Sequence, residues 1–282
     1  MDDPKTLVST DWLAAHLDDP DLRILDASWH MPAAGRDAKA EYDAAHIPGA
    51  RFFDIDEVAD PDTALPHMVP TPGRFARLLG GMGVSNDTDV VFYDQKGLAS
   101  AARGWWLMGL FGHDRAYVLD GGLPKWRREG RPVEAGESPA PAPAEFVAHL
   151  RAARLRGLGD MLANLAAGAE AVLDARPAGR YAGTAPEPRP GLPSGHIPGS
   201  TNLPHTELLD PDGTMKGADA LREVFARAGV DGSRPVVTSC GTGVTATILT
   251  LGLRRAGLPQ GAVYDGSWTE WASRPDTPKE SV

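Results

Sequence analysis

The sequence predicts an α/β chain built from two tandem, related domains, each a mainly parallel sheet flanked by helices. Three observations carry that prediction. Short apolar runs alternate with amphipathic stretches, the pattern of strands joined through crossover helices. Four markers recur in the same order in both halves. Between the halves lies Gly136-Glu137-Ser138-Pro139-Ala140-Pro141-Ala142-Pro143, whose alternating prolines favour an extended connector.

The first half runs through Arg23-Ile24-Leu25-Asp26-Ala27, His46-Ile47-Pro48-Gly49, Val90-Val91-Phe92-Tyr93-Asp94 and Asp120-Gly121-Gly122. The second answers with Val172-Leu173-Asp174-Ala175-Arg176, His196-Ile197-Pro198-Gly199, Val236-Val237-Thr238-Ser239-Cys240 and Asp265-Gly266-Ser267-Trp268. Asp26 and His46 are 20 positions apart, Asp174 and His196 are 22 apart. From His46 to Asp94 is 48 positions, from His196 to Cys240 it is 44. These markers give domains at 1–140 and 150–282, with Asp94 standing where the second half has Cys240.

Helix starts are legible within that frame. Ser9-Thr10-Asp11 precedes Trp12-Leu13, and Thr71-Pro72 opens a helix that Gly80-Gly81 should end. After Cys240 a helix is expected from about Val244 to Ala256, with Val244, Ile248 and Leu251 on one face and Gly257 and Pro259 as the stop. The stretch 273–278, rich in Pro and polar residues, reads as a loose tail.

Composition narrows the function. The 282 residues carry 28 Lys+Arg against 38 Asp+Glu, a net charge of −10, which makes nucleic acid and anionic membranes poor partners. The apolar runs fall far short of a bilayer span, and Met1-Asp2-Asp3-Pro4 lacks the basic and apolar regions of a secretory signal. These features predict a cytoplasmic protein. A single cysteine excludes an internal disulfide and a cysteine-rich metal site, and the histidines show no ligand spacing, so no metal is expected. His46 and His196 recur in both halves ahead of Ile-Pro-Gly, which fits a shared turn role. Trp105-Trp106, Trp268 and Trp271 read as core.

Cys240 is the residue to explain. It closes a predicted parallel strand, at the sheet edge where open α/β folds place ligands. The following Gly241-Thr242-Gly243-Val244-Thr245 leads into a helix whose first N–H groups favour an anion. That setting favours the thiolate, the nucleophilic form of cysteine, and the glycines let several N–H groups point inward.

With these motifs the chain resembles the two-domain sulfurtransferases of the rhodanese family, and within it the 3-mercaptopyruvate sulfurtransferases. The resemblance covers about Thr6 to Trp271 and rests on the paired His-Ile-Pro-Gly segments, Asp120-Gly121-Gly122, Tyr264-Asp265-Gly266 and Cys-Gly-Thr-Gly-Val-Thr at 240–245. It implies tandem rhodanese-like domains, the second catalytic and the first without its nucleophile, since the carboxylate of Asp94 cannot carry a sulfane sulfur. Thiosulfate-preferring members place Arg and Lys after the cysteine, whereas Gly241 and Thr242 are neutral. The mercaptopyruvate type usually has Gly-Ser, so Thr242 keeps the hydroxyl and adds a methyl. Phosphatases on this fold need Arg six positions after Cys, where this chain has Ala246.

The resemblance further implies a sulfur donor bound by Arg180 and Arg189, the two ends of a Gly- and Pro-rich stretch, although Arg176 and Arg180 could instead be the paired cations. A guanidinium suits the carboxylate of a 2-oxo acid. Asp56, His67 and Thr242 are implied as a relay beside Cys240, with Gly241, Gly243, Val244 and Thr245 cradling the bound sulfur. The expected reaction moves sulfur from 3-mercaptopyruvate through a Cys240 persulfide to a thiol, thioredoxin or cyanide, without a cofactor. Two other readings stay open: a thiosulfate:cyanide sulfurtransferase, and a non-enzymatic persulfide carrier or redox-sensing protein.

Overall fold

The structure, a computed structural model, describes residues 6–282; the acidic stretch Met1–Pro4 lies outside them. The chain divides into two compact units. The first comprises residues up to Pro61, Val69–Arg151 and Pro211–Met215; the second comprises Asp62–Met68, Ala152–Asp210 and Lys216–Val282. Residues 62–68 and 211–215 each lie, in sequence, inside the stretch of the opposite unit. By their contacts the two short segments belong the other way round.

In the first unit the described elements are β1 (Leu7–Val8), α1 (Thr10–Ala15), β2 (Leu22–Asp26), α2 (Ala38–Ala44), β3 (Arg51–Phe52), α3 (Ile55–Val58), α4 (Pro72–Gly81), β4 (Asp89–Tyr93), α5 (Ala101–Leu110), β5 (Ala116–Leu119) and α6 (Gly122–Arg128). Its five strands pair in the order β1-β5-β4-β2-β3, parallel at every pairing. The two helix starts read from the sequence are capped as expected: Ser9 accepts from Trp12 N at 3.0 Å and Thr71 from Arg74 N at 3.3 Å, each satisfying an orphan donor of the first turn. Gly80 and Gly81 fall inside the last turn of α4, which closes at Met82. Val91, Tyr93, Leu119 and Trp126 anchor one core cluster. Residues 136–150 form no helix or strand, and the connector is bound along this unit. Arg51 donates to Ser138 O (2.9 Å), the Ser138 hydroxyl meets His46 Nε2 (3.0 Å), and Phe146 packs edge-on against Phe75.

The second unit repeats the plan with β6 (Leu155–Arg156), α7 (Leu158–Ala167), β7 (Ala171–Asp174), α8 (Ala178–Ala182), β8 (Thr201–Asn202), α9 (Ala218–Arg227), β9 (Val236–Ser239), α10 (Ala246–Arg255), β10 (Ala262–Tyr264) and α11 (Ser267–Ser273). The strand order β6-β10-β9-β7-β8 is the same permutation, again parallel. The central strand β9 is buried at all four positions, as a strand covered on both faces must be.

The two recurring histidines do the same structural work. His46 Nδ1 lies 2.9 Å from Tyr42 O and His196 Nδ1 2.9 Å from Tyr181 O, each ring stacked on that tyrosine. Each backbone also forms an antiparallel bridge, His46 to Glu134 and His196 to Glu280. The second bridge corrects the expectation of a loose tail. Buried Thr277 donates to Trp271 O at 2.5 Å, and Trp271 Nε1 donates to Pro278 O at 2.7 Å. Side-chain hydrogen bonds tie down a segment that has no apolar periodicity to reveal it.

Candidate active site

Strand β9 delivers Cys240 to the carboxyl edge of the second sheet, where the thiol is 2% exposed and free of any disulfide. The loop that follows is longer than expected, because α10 begins at Ala246 rather than near Val244. Gly243 adopts φ +77°, a left-handed conformation that interrupts helical propagation and curls the chain around the cysteine. The turn entering α11 holds this loop. Cys240 N donates to Ser267 Oγ (3.1 Å) and Cys240 O accepts from Trp268 N (3.0 Å). Gly241 O accepts from both Thr269 N (2.9 Å) and Thr269 Oγ1 (2.7 Å).

Two residues far apart in sequence meet beside the loop. His67 Nδ1 lies 2.8 Å from Thr242 Oγ1, and both residues are buried. His67 has φ +61°, a left-handed backbone that costs a non-glycine residue about 1 kcal/mol or more and tends to mark functional positions. A hydroxyl hydrogen-bonded to an imidazole can accept and pass a proton. Asp56, the third residue of the expected relay, belongs to the first unit, where its carboxylate accepts Trp29 Nε1 at 3.0 Å.

The arginines separate clearly. Arg176 is 1% exposed and fully engaged: it binds Asp174 (2.7 Å), Glu187 (2.8 Å) and Gly195 O (2.7 Å), and lies 4.6 Å over the Trp268 ring. Burial opposes its charge, but the Asp174 and Glu187 carboxylates outweigh that and raise its pKa further. It is a structural cation. Arg180 is the one beside the loop after Cys240, since a Cβ added to Gly241 would stand 3.1 Å from its Nη2. A neutral, side-chain-free residue after Cys240 is what gives the guanidinium that place. Arg189 is half-buried, in the stretch 183–193 that follows α8.

Glu187 is the residue that sequence reading missed. Its carboxylate receives Arg180 Nη2 at 2.5 Å and Arg180 Nε at 3.2 Å, while also pairing with Arg176. The available signal was a lone acid between Arg180 and Arg189, in a stretch with no periodic role for it.

The first unit displays the corresponding loop with a different occupant. Asp94 is 1% exposed and accepts four backbone donors: Lys96 N (2.9 Å) at one oxygen, and Ala99 N (2.7 Å), Ser100 N (2.9 Å) and Ala101 N (3.0 Å) at the other. This is an anion nest filled by its own side chain. Among the described residues no cluster of three or more His, Cys, Asp or Glu could hold a metal ion. A cavity of about 260 Å³ lined by Met161, Asn164, Val172 and Arg234 lies by the amino end of β7, away from Cys240, and presents no nucleophile.

The model of the rhodanese-like domain matches residues 9–129 and again 158–274. The chain is 46% identical to 3-mercaptopyruvate sulfurtransferase of Rattus norvegicus, over 96% of this chain and 93% of the relative. It is 44% identical to thiosulfate sulfurtransferase of Mus musculus, again over 96% and 93%. The crystal structure of SseA from Escherichia coli, described as a 3-mercaptopyruvate sulfotransferase, superposes with a TM-score of 0.84 at 38% identity, covering 93% of this chain and 98% of that one. Fold, site and relatives define a sulfur-transferring enzyme acting on small-molecule donors. The chain belongs to the rhodanese family, with two rhodanese-like domains in tandem. The reading as a non-enzymatic carrier gives way to these enzymatic relatives.

Proposed function

We propose that the second domain catalyses sulfur transfer from 3-mercaptopyruvate through Cys240, the first domain being non-catalytic. The observation that carries this reading is the position of Arg180 against Gly241, a guanidinium beside the nucleophile loop where thiosulfate-preferring relatives would carry a cationic side chain at 241. The donor carboxylate binds Arg180 and Arg189. The Cys240 thiolate attacks the donor sulfur, the carbon–sulfur bond breaks, and its electron pair leaves with pyruvate as the enolate. That carbanion takes a proton by way of Thr242 and His67. Cys240 is left as a persulfide, cradled by N–H groups of Gly241, Gly243, Val244 and Thr245. A thiolate, such as that of reduced thioredoxin, or cyanide then takes the outer sulfur and regenerates Cys240. No cofactor enters this scheme. A reduced lone thiol suits a cytoplasmic setting.

Incubation with 3-mercaptopyruvate alone should release pyruvate and add one sulfur to Cys240 by intact mass, and Cys240→Ser should do neither. Thiosulfate is the second reading, kept by the thiosulfate-named relative. Comparing kcat/KM for the two donors decides between them, and the neutral Gly241-Thr242 pair predicts thiosulfate to be the poorer. Equal or better use of thiosulfate would overturn the donor assignment.

A further inference from the structure

The two halves provide an internal comparison at the nucleophile loop. Asp120 N donates to Val8 O (3.0 Å) and Asp265 N to Arg156 O (3.2 Å), fixing these aspartates as equivalents. Counting from them, Ser267 stands where the first half has Gly122, and Thr269 where it has Pro124. Gly122 and Ser267 share a left-handed backbone, φ +54° and +50°. One bond from this turn to residue 94 or 240 is common to both halves: Leu123 N to Asp94 O and Trp268 N to Cys240 O, each 3.0 Å. The second half adds four more. The Ser267 hydroxyl accepts Cys240 N while donating to Tyr264 O (2.8 Å), and Thr269 supplies an N–H and a hydroxyl to Gly241 O. Gly122 has no hydroxyl and Pro124 has no N–H, so the first half can make none of these.

The difference has a chemical reason. Across a planar peptide the C=O of one residue and the N–H of the next point in opposite directions. Pulling the carbonyls of Cys240 and Gly241 toward Ser267–Ser273 therefore turns the N–H groups of Gly241 and Thr242 the other way. In the first half the matching amide, Lys96 N, points at the side chain of Asp94. A carboxylate gathers such donors by its own strength, whereas sulfur is a weak acceptor. Amides meant for sulfur must be oriented in advance. Ser267 also keeps a backbone conformation that glycine would adopt without cost.

We propose that Ser267 and Thr269 are positioning residues that hold the Cys240–Gly241–Thr242 peptides from behind, so that their amides face the sulfur. This rests on the reading of Cys240 as nucleophile. Ser267→Gly and Thr269→Pro install the first half's own residues, which suit this backbone. Each should lower kcat about three- to ten-fold, the worth of one hydrogen bond, with KM for 3-mercaptopyruvate changed less than about two-fold, as expected when transition-state rather than ground-state binding is lost. Alkylation of Cys240 by iodoacetamide should slow by a similar factor at pH 7 and recover at pH 10, in a Ser267→Gly protein that is folded by circular dichroism. If Thr269→Pro does not fold, Thr269→Ala, lacking only the hydroxyl, should still show about a three-fold loss. Wild-type kcat and alkylation profiles in Ser267→Gly and Thr269→Ala would overturn the proposal. Full turnover in Cys240→Ser would instead remove the nucleophile reading beneath it.

Discussion

Glu187 decides what two neighbouring arginines can do. It completes the burial of Arg176, whose three guanidinium nitrogens each donate to a protein acceptor, and it orients Arg180 through Nε and Nη2. A comparable choice is made at the start of each loop. Asp174 is neutralised by Arg176, whereas its equivalent Asp26 takes uncharged donors from Ser28 and Gln95. Burial at 0% exposure therefore lifts the Asp26 carboxyl from 3.8 to about 6; the Ser28 and Gln95 hydrogen bonds pull against this, and Asp94 adds a smaller push upward. Between about pH 4 and 6 the folded chain keeps a proton that the unfolded chain has released. Stability conferred at low pH is thus lost as pH rises through that window, by about 3 kcal/mol in all. Urea unfolding at pH 4.5 and 7 should show this fall, and Asp26→Asn should flatten it. An unchanged slope in the variant would place the titration elsewhere.

At the scale of elements, the two halves differ most between the tyrosine and the histidine that stack. Tyr42 and His46 are four positions apart, Tyr181 and His196 fifteen, yet both tyrosine hydroxyls reach a backbone carbonyl, Ala50 O at 2.7 Å and Ser200 O at 2.5 Å. The eleven extra residues make the stretch that carries Glu187 and Arg189. Its return to the frame runs through Gly195, with φ +123°, where an added Cβ would collide with Glu280 O. Gly195 O also receives Arg176. Gly195→Ala should therefore cost about 2–4 kcal/mol, combining backbone strain with overpacking, seen as a drop in Tm. Gly159→Ala, in α7 with nothing within 4 Å of the added methyl, should instead stabilise by up to about 1 kcal/mol. A matching loss in both would show that the first is not specific to the packed turn.

For the whole molecule, the duplication was the most legible property, because strand composition and the His-Ile-Pro-Gly turns repeat and the two sheets share one strand order. Caps at Ser9 and Thr71 were readable from residue type. The first turn of α10 was not, because the apolar Val244 suits a helix as well as the turn that Gly243 imposes. The anchoring of Thr277 and the pairing of Glu187 were hidden for a different reason: polar side chains leave no periodic trace, and their partners are set only by the folded backbone. The segment 62–68 illustrates the same limit, since sequence continuity says nothing of which unit a loop packs with.

Asp94 has one more consequence. From Cα to its terminal oxygen an aspartate spans the same number of bonds as a cysteine persulfide does to its outer sulfur. On the proposed mechanism the first half therefore stands as a replica of the persulfide form of Cys240, with the carboxylate held in place by Lys96, Ala99, Ser100 and Ala101. Cys240→Asp should freeze the second half in that loaded likeness: inert toward donors, yet melting above Cys240→Ser because the amides gain a full acceptor. Calorimetry of the two variants checks this, and a lower melting point for the aspartate would mean that the cradles are not alike.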